Sequence, residues 1–395
     1  MNARRPALDI AVAGGGMVGA ACALALARRG FTVALLEARE PAPWVANEQE
    51  DLRVIALAPS SARLLDELGV WHGIEAARVS PYRHMRVWDA ASGAEIAFDA
   101  AREGRAQLGW IVENNLVASM LWNALENAGA RRLCPAHVAS FTVRDERVTL
   151  DLADGTPLST ALLVIADGAG SRLRAQAGIA VRGRDYHQRA VVAHVVTDRA
   201  HQATAWQRFT HEGPIALLPL ADGRSSIVWS LPEARAREVL AFDNAGFCAA
   251  AGVASDFRLG RITATTPRAS FPLKLQLAKT YASDRCVLLG DAAHGVHPLA
   301  GQGVNLGLRD VAELAAVLGE ARVAGRDFMA RHVLQCYARR RRAAATLDAR
   351  AFDSIERMFA WQSLPLTALR GLGVHVANRL TPLKRALIAR AAGGI

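Results

Sequence analysis

Two aspartates stand where short apolar runs end. Asp167 follows Leu162-Leu-Val-Ile-Ala166, and Asp291 follows Cys286-Val-Leu-Leu-Gly290. A carboxylate at a strand end beside glycine can accept hydrogen bonds from backbone or from the hydroxyls of a sugar-like chain. Asp167, followed by Gly168-Ala-Gly170-Ser-Arg172, fits a plain Asx-turn equally well. Asp291 opens a denser stretch, Ala292-Ala-His294-Gly-Val-His297-Pro298-Leu-Ala-Gly301-Gln302-Gly303-Val-Asn305, closing on Asp310. Pro298 to Gly303 reads as a Gly-rich loop. Gly303 onward opens a helix, whose positive N-terminal end would face something electron-rich. His294 and His297 could share a metal, but no third ligand follows at a suitable spacing, so no metal is expected.

A second constellation lies near the start. Gly14-Gly-Gly16-Met-Val-Gly19 follows the apolar run Leu8–Ala13. Gly14 permits a tight turn, Gly16 lets backbone approach a pyrophosphate, and Gly19 lets helix and sheet pack closely. The helix that follows offers free N–H groups to phosphate. Glu37 ends the next strand and can accept from ribose hydroxyls. It would repel a 2′-phosphate, so the site favours NAD or FAD over NADP.

These residues need elements to hold them. Met17–Arg29 reads as a helix and Thr32–Glu37 as a strand, which completes a βαβ unit. Ser60–Leu68 and Asn115–Ala128 read as helices ended by Gly69 and Gly129. Val143–Leu150 followed by Asp154-Gly155 reads as a hairpin, and Asp222-Gly223 as another. Arg182–Leu231, rich in alternating Val, His, Trp and Thr, reads as strands of a second sheet. Gly303–Gly319 and Phe328–Arg350 read as helices, and Pro365 and Pro382 break the tail into short pieces. The fold class is therefore α/β. A discontinuous Rossmann-type domain would use 1–77, 105–180 and 281–345. A β-rich substrate domain would use 78–104 and 182–280, and a helical tail 346–395.

The chain has 395 residues, 51% hydrophobic, with a formal net charge of +10 and five cysteines. An odd cysteine count without CxxC argues against a disulfide framework and for a reducing cytoplasm. No apolar run is long enough to span a membrane. The basic balance points to an anionic partner. No interleaved aromatic and basic motif supports nucleic acid. Arg339 to Arg342 is a basic run that reads as a solvated face, and no acidic residue follows Glu356.

The Gly14, Asp167 and Gly290 patterns, in this order, resemble the aromatic-hydroxylase class of FAD monooxygenases. Asp51-Leu-Arg53-Val-Ile-Ala-Leu-Ala-Pro-Ser60, Val112-Glu113-Asn114, the Gly290 motif and Pro382-Leu-Lys384 narrow this further. They are similar to the ubiquinone-biosynthesis hydroxylase family, which acts on polyprenylated phenols. The resemblance implies an FAD held by Gly14, Gly16, Gly19, Glu37, Arg53, Asn114, Asp167, Gly290, Asp291, Pro298, Gly301, Gln302, Gly303 and Asn305. It implies ring hydroxylation with O2 through a flavin C4a-hydroperoxide. A phenol base would be His294, His297 or a carbonyl near Pro298. No second dinucleotide motif is present, so NAD(P)H binding transiently or a partner reductase would supply electrons. Two alternatives stay open: a hydroxylase of a small soluble aromatic, and a non-catalytic FAD protein in a biosynthetic complex. A lipid-borne substrate would bring the basic tail to a membrane or a membrane-bound assembly.

Overall fold

Apolar runs buried on both faces build parallel sheet, and the first such run sits at the middle of one. Ile10–Ala13 pairs in parallel with Val33–Leu36 on one side and with Leu162–Ile165 on the other. Cys286–Leu288 and Arg131–Leu133 extend the sheet outward, and Ala282–Ser283 closes one edge antiparallel, giving a 6-stranded sheet. The helix Met17–Ala27 is buried almost all round. It packs between the sheet and the helix Gln302–Val323. Small residues allow this: a methyl at Gly307 would press on Val18.

The computed structural model describes residues 8–46, 50–144, 146–295, 302–360, 371–373, 378 and 380–393. Among the described residues a 9-stranded sheet forms the second layer, with the long strand Val181–Thr197 near its middle. Its strands alternate through their central stretches, as a sheet with two different faces requires. Val191, Ala193, Ile215, Leu217, Ile227 and Trp229 point to one side. There they bury against the helices Glu233–Ala241 and Asn244–Ala254 through Val239, Phe247 and Ala251. Their neighbours Ala190, Val192, Ala216 and Val228 point to the other side and line a cavity. A small antiparallel sheet, Val54–Leu57 with Gly109–Glu113 and Val79–Tyr82, roofs that cavity. Ala56 and Ile111 of the roof meet Ala205 and Leu218 of the floor.

Two expectations change. Val143–Leu150 is not one arm of a hairpin. The chain turns after Val138–Arg144, with Glu146 at φ 68°, and returns as Arg147–Leu152. Asp154-Gly155 makes a second turn before Pro157–Thr160. Val79–Tyr82 pairs with the roof, not with the large sheet. Pro382 does mark the start of a short helical piece, Thr381–Ala391, because its missing N–H is harmless in a first turn. Pro365 lies outside the described residues.

Candidate active site

The first glycines form a phosphate cradle. Gly14 has φ +107°, and a Cβ there would collide with the carbonyl of Ala166, immediately before Asp167. A Cβ on Gly19 would strike the carbonyl oxygen of Gly14. Gly16 differs: nothing lies within 4 Å of where its Cβ would be. Gly16 is also the N-cap of Met17–Ala27, and no side chain caps it. The first-turn N–H groups are therefore aimed at open space, which suits a pyrophosphate. Glu37 stands beside them, accepting from the N–H of Gly15 and, at 3.1 Å, of Arg39. Asp167 lies exposed at the end of the neighbouring strand.

Beyond the cradle a half-open cavity of about 580 Å³ lies between the two layers. Arg53, Asn114, Asp291 and Gly303 line it, together with Ala169 and Gly170. Glycine at 303 lets the start of the helix Gln302–Val323 face the cavity with backbone alone. Asp291 follows Gly290, whose φ of +56° turns the chain at the strand end. Asp291 is itself exposed toward the cavity, yet desolvation by the surrounding protein pushes its carboxyl up, against the pull of His294 and Arg53. Most of the remaining wall is apolar, including Met85, Ile111, Val192 and Leu218. Tyr82 also lines it, and burial pushes its phenol up to about 12.

The histidine of the dense motif does not face this cavity. His294 is 1% exposed, and its Nε2 lies 2.6 Å from Asp310 Oδ2. The same carboxylate accepts from Gly290 N at 3.0 Å and from Arg341 Nε at 2.7 Å. Asp310 is thus a fully buried pin joining the helix Gln302–Val323 to the Asp291 turn. Burial alone would raise its carboxyl; His294 and Arg341 outweigh that and hold it below the usual carboxylate range. His294 is in the place of a support, not of a phenol base. Asn305 is likewise turned away: its Oδ1 accepts from Ala58 N at 2.8 Å and Ser61 Oγ at 2.7 Å, and its Nδ2 donates to Ala56 O. Its side chain ties the cavity roof to the helix. Arg341 corrects the reading of Arg339–Arg342 as a solvated face. His297, Pro298 and Gly301 lie outside the described residues, and so does the side chain of Gln302.

Arg53 is held by groups the motifs had paired in sequence only. Asp51 accepts from Arg53 N at 2.9 Å and from Asn115 N at 3.2 Å. Glu113 accepts from Asp51 N, Trp44 Nε1 and Arg78 Nε. His194 Nε2 reaches the Asp51 carbonyl at 3.0 Å from the large sheet. Asn114 begins the helix Asn114–Asn127, and its N–H donates to Arg53 O at 2.9 Å. The loop carrying Arg53 is therefore fastened to both layers.

A dinucleotide cradle on a parallel sheet, beside a largely apolar cavity, defines a flavoprotein of the aromatic-hydroxylase fold. Residues 7–350 match the FAD binding domain family, and the chain belongs to it. It is 39% identical to the 3-demethoxyubiquinol 3-hydroxylase of Escherichia coli K12, covering 98% of each chain. It is 36% identical to the mitochondrial ubiquinone biosynthesis monooxygenase COQ6 of Xenopus tropicalis, over 96% of this chain and 92% of that one. Within the family it is thus an FAD-dependent monooxygenase of the ubiquinone-biosynthesis hydroxylase group. The p-nitrophenol 4-monooxygenase PnpA of Pseudomonas putida DLL-E4 shares the fold, with a TM-score of 0.77 at 18% identity over 98% of both chains.

Proposed function

We propose that the protein hydroxylates the aromatic ring of a polyprenylated phenol, as the names of its relatives suggest for them. The observation that carries this reading is the cavity: a largely apolar chamber that Arg53, Gly170, Asp291 and Gly303 also line. Its volume lies in the ordinary range for a small-ligand site. Apolar walls suit a prenyl-bearing ring, and their burial supplies about 25 cal/mol per Å².

In this reading Gly14, Gly16 and Gly19 shape the pyrophosphate turn and Glu37 takes the adenosine ribose. Asp167 and Asp291 take hydroxyls of the ribityl chain. Arg53 and Asn114 border the isoalloxazine, and the helix start at Gly303 faces its electron-rich edge. Gly290 sets the turn that presents Asp291. Gln302, Pro298 and Gly301 are assigned with the same loop. Asn305 acts through the roof it holds. Bound FAD supplies the two-electron chemistry by which one atom of O2 enters the ring and the other leaves as water. The protein orients the ring between roof and floor and excludes water from the reacting end. His297 or a carbonyl near Pro298 is proposed to bear on the phenol proton. Electrons come from NAD(P)H or a partner reductase. The domain division given above, with Val79–Tyr82 moved to the FAD-side roof, is part of this proposal.

The test is incubation of the FAD-loaded protein with O2, a reductant and short-chain prenyl phenols, with mass detection of one added oxygen. Turnover of small soluble phenols alone, with prenyl phenols inert, would overturn the substrate class.

A further inference from the structure

The largely apolar cavity floor carries a few polar groups, Ser230, Lys274 and Gln276 near the flavin loop and Gln207 farther along the sheet. Gln207 lies on the strand Thr204–Phe209, on the face that alternation gives to the cavity. Its register partner is Ala216, which in turn pairs with Val228. Gln207 is only 6% exposed, and what is exposed opens into the cavity. Among the described residues its carboxamide has no hydrogen-bond partner. An apolar side chain would fill this position at no polar cost, so the amide needs a reason.

We propose that Gln207 is a specificity-determining residue, which hydrogen-bonds an oxygen substituent on the substrate ring. This deepens the phenol reading above and rests on it. Water can satisfy the amide while the cavity is empty. A ligand that displaces this water with hydrocarbon leaves the amide unpaired. That costs a factor of roughly ten or more in affinity. A ring bearing oxygen at that place keeps the bond. The carboxamide both donates and accepts, so an alkoxy group or a second hydroxyl would serve.

The sheet places this oxygen away from the flavin loop. The loop after Asp291 pairs with the large sheet at Gln276–Gly295, on the strand Ala269–Ala278. Gln207 is four strands away in the order Ala269–Ala278, Val181–Thr197, Ser225–Pro232, Pro214–Pro219, Thr204–Phe209. The oxygen that Gln207 holds would therefore belong to the part of the substrate lying farther from the flavin loop.

The experiment compares two probes, a short-tailed prenyl phenol carrying an alkoxy group and its alkyl counterpart. Each is titrated into FAD-loaded protein and followed by the change in flavin absorbance. Wild type should bind the alkoxy probe about tenfold tighter. Gln207→Leu and Gln207→Met, checked for normal flavin content and melting temperature, should lose that preference and hold the alkyl probe at least as well as wild type does. Folded, flavin-loaded variants that keep the tenfold preference would overturn the assignment, as would a wild type that ignores the difference. If wild type binds neither phenol, the phenol reading of the cavity falls, and this assignment with it.

Discussion

At the residue scale the arrangement is a division of labour between carboxylates. Asp291 faces the cavity, Asp167 lies exposed at a strand end, and Asp310 is sealed behind both. Asp291→Ala should abolish flavin retention or hydroxylation, while Asp167→Ala should only weaken it; a fully active, flavin-loaded Asp291→Ala protein would contradict the placement. Asp310 governs stability instead. Its folded carboxyl is held low by His294 and Arg341. A depressed carboxyl stabilises the fold above its unfolded value of about 3.9 and ceases to do so as pH falls through the lower folded value. Asp310→Asn should cost about 3–5 kcal/mol at neutral pH, because it leaves Arg341 buried without its counter-charge. Denaturant titrations from neutral to acid pH should show this gap closing at the acid end. A constant gap would mean that the ion pair is not its source.

At the scale of elements, two glycines of one motif make opposite demands. Gly19 has the carbonyl of Gly14 where a side chain would go, and Gly16 has open space. Gly19→Val should therefore prevent the first helix from seating on its sheet and give little folded protein. Gly16→Val should fold with a near-normal melting temperature when free of cofactor, yet fail to take up FAD, because its side chain fills the pyrophosphate position. Thermal melts and flavin content separate the outcomes; equal damage from both changes would contradict the cradle. The sequence made this element readable because βαβ glycines carry their backbone reasons with them. It made the Asp310 pin and the Asn305 tie unreadable, because their partners, Arg341 and Ser61, lie far off in sequence. Arg341 was hidden in a run of like charge, and Gln207 in an alternating strand, where a glutamine looks like a solvent-facing residue. The strands' alternation was visible; which face was roofed was not.

At the scale of the molecule, the basic tail is the feature whose role divides. The helix Thr381–Ala391 returns to the body: Arg390 pairs with Asp348 at 2.5 Å, Arg385 with Glu103 at 3.1 Å, and the N–H of Ser60 donates to Ala392 O. Arg357, Arg370 and Arg379 lie where side chains are not described. Leu372, Leu380 and Leu387 are exposed, at 62%, 48% and 42%. Among the described residues no helix is long and apolar enough to cross a membrane. For a lipid-borne phenol we propose surface contact, with the exposed leucines of the tail providing it. Co-sedimentation with anionic vesicles should be stronger for the full chain than for a form ending near Ala360, and should weaken at high salt as screening grows. Equal indifference of both forms at low salt would make the tail purely structural.

The cradle and the cavity belong to distant parts of one chain, and this sets an order in time. Gly14 and Glu37 are made first, but the strand Cys286–Leu288 that sets up the Asp291 turn, and the helix that begins at Gln302, come late in synthesis. At about 5–20 residues per second, a ribosome needs roughly 15–60 s to pass from Gly14 to Gly303. During that interval the glycine turn waits for its neighbours, the strand Leu162–Ile165 that packs against Gly14 and then the helix that begins at Gln302, so we expect firm FAD capture only after the long helix emerges.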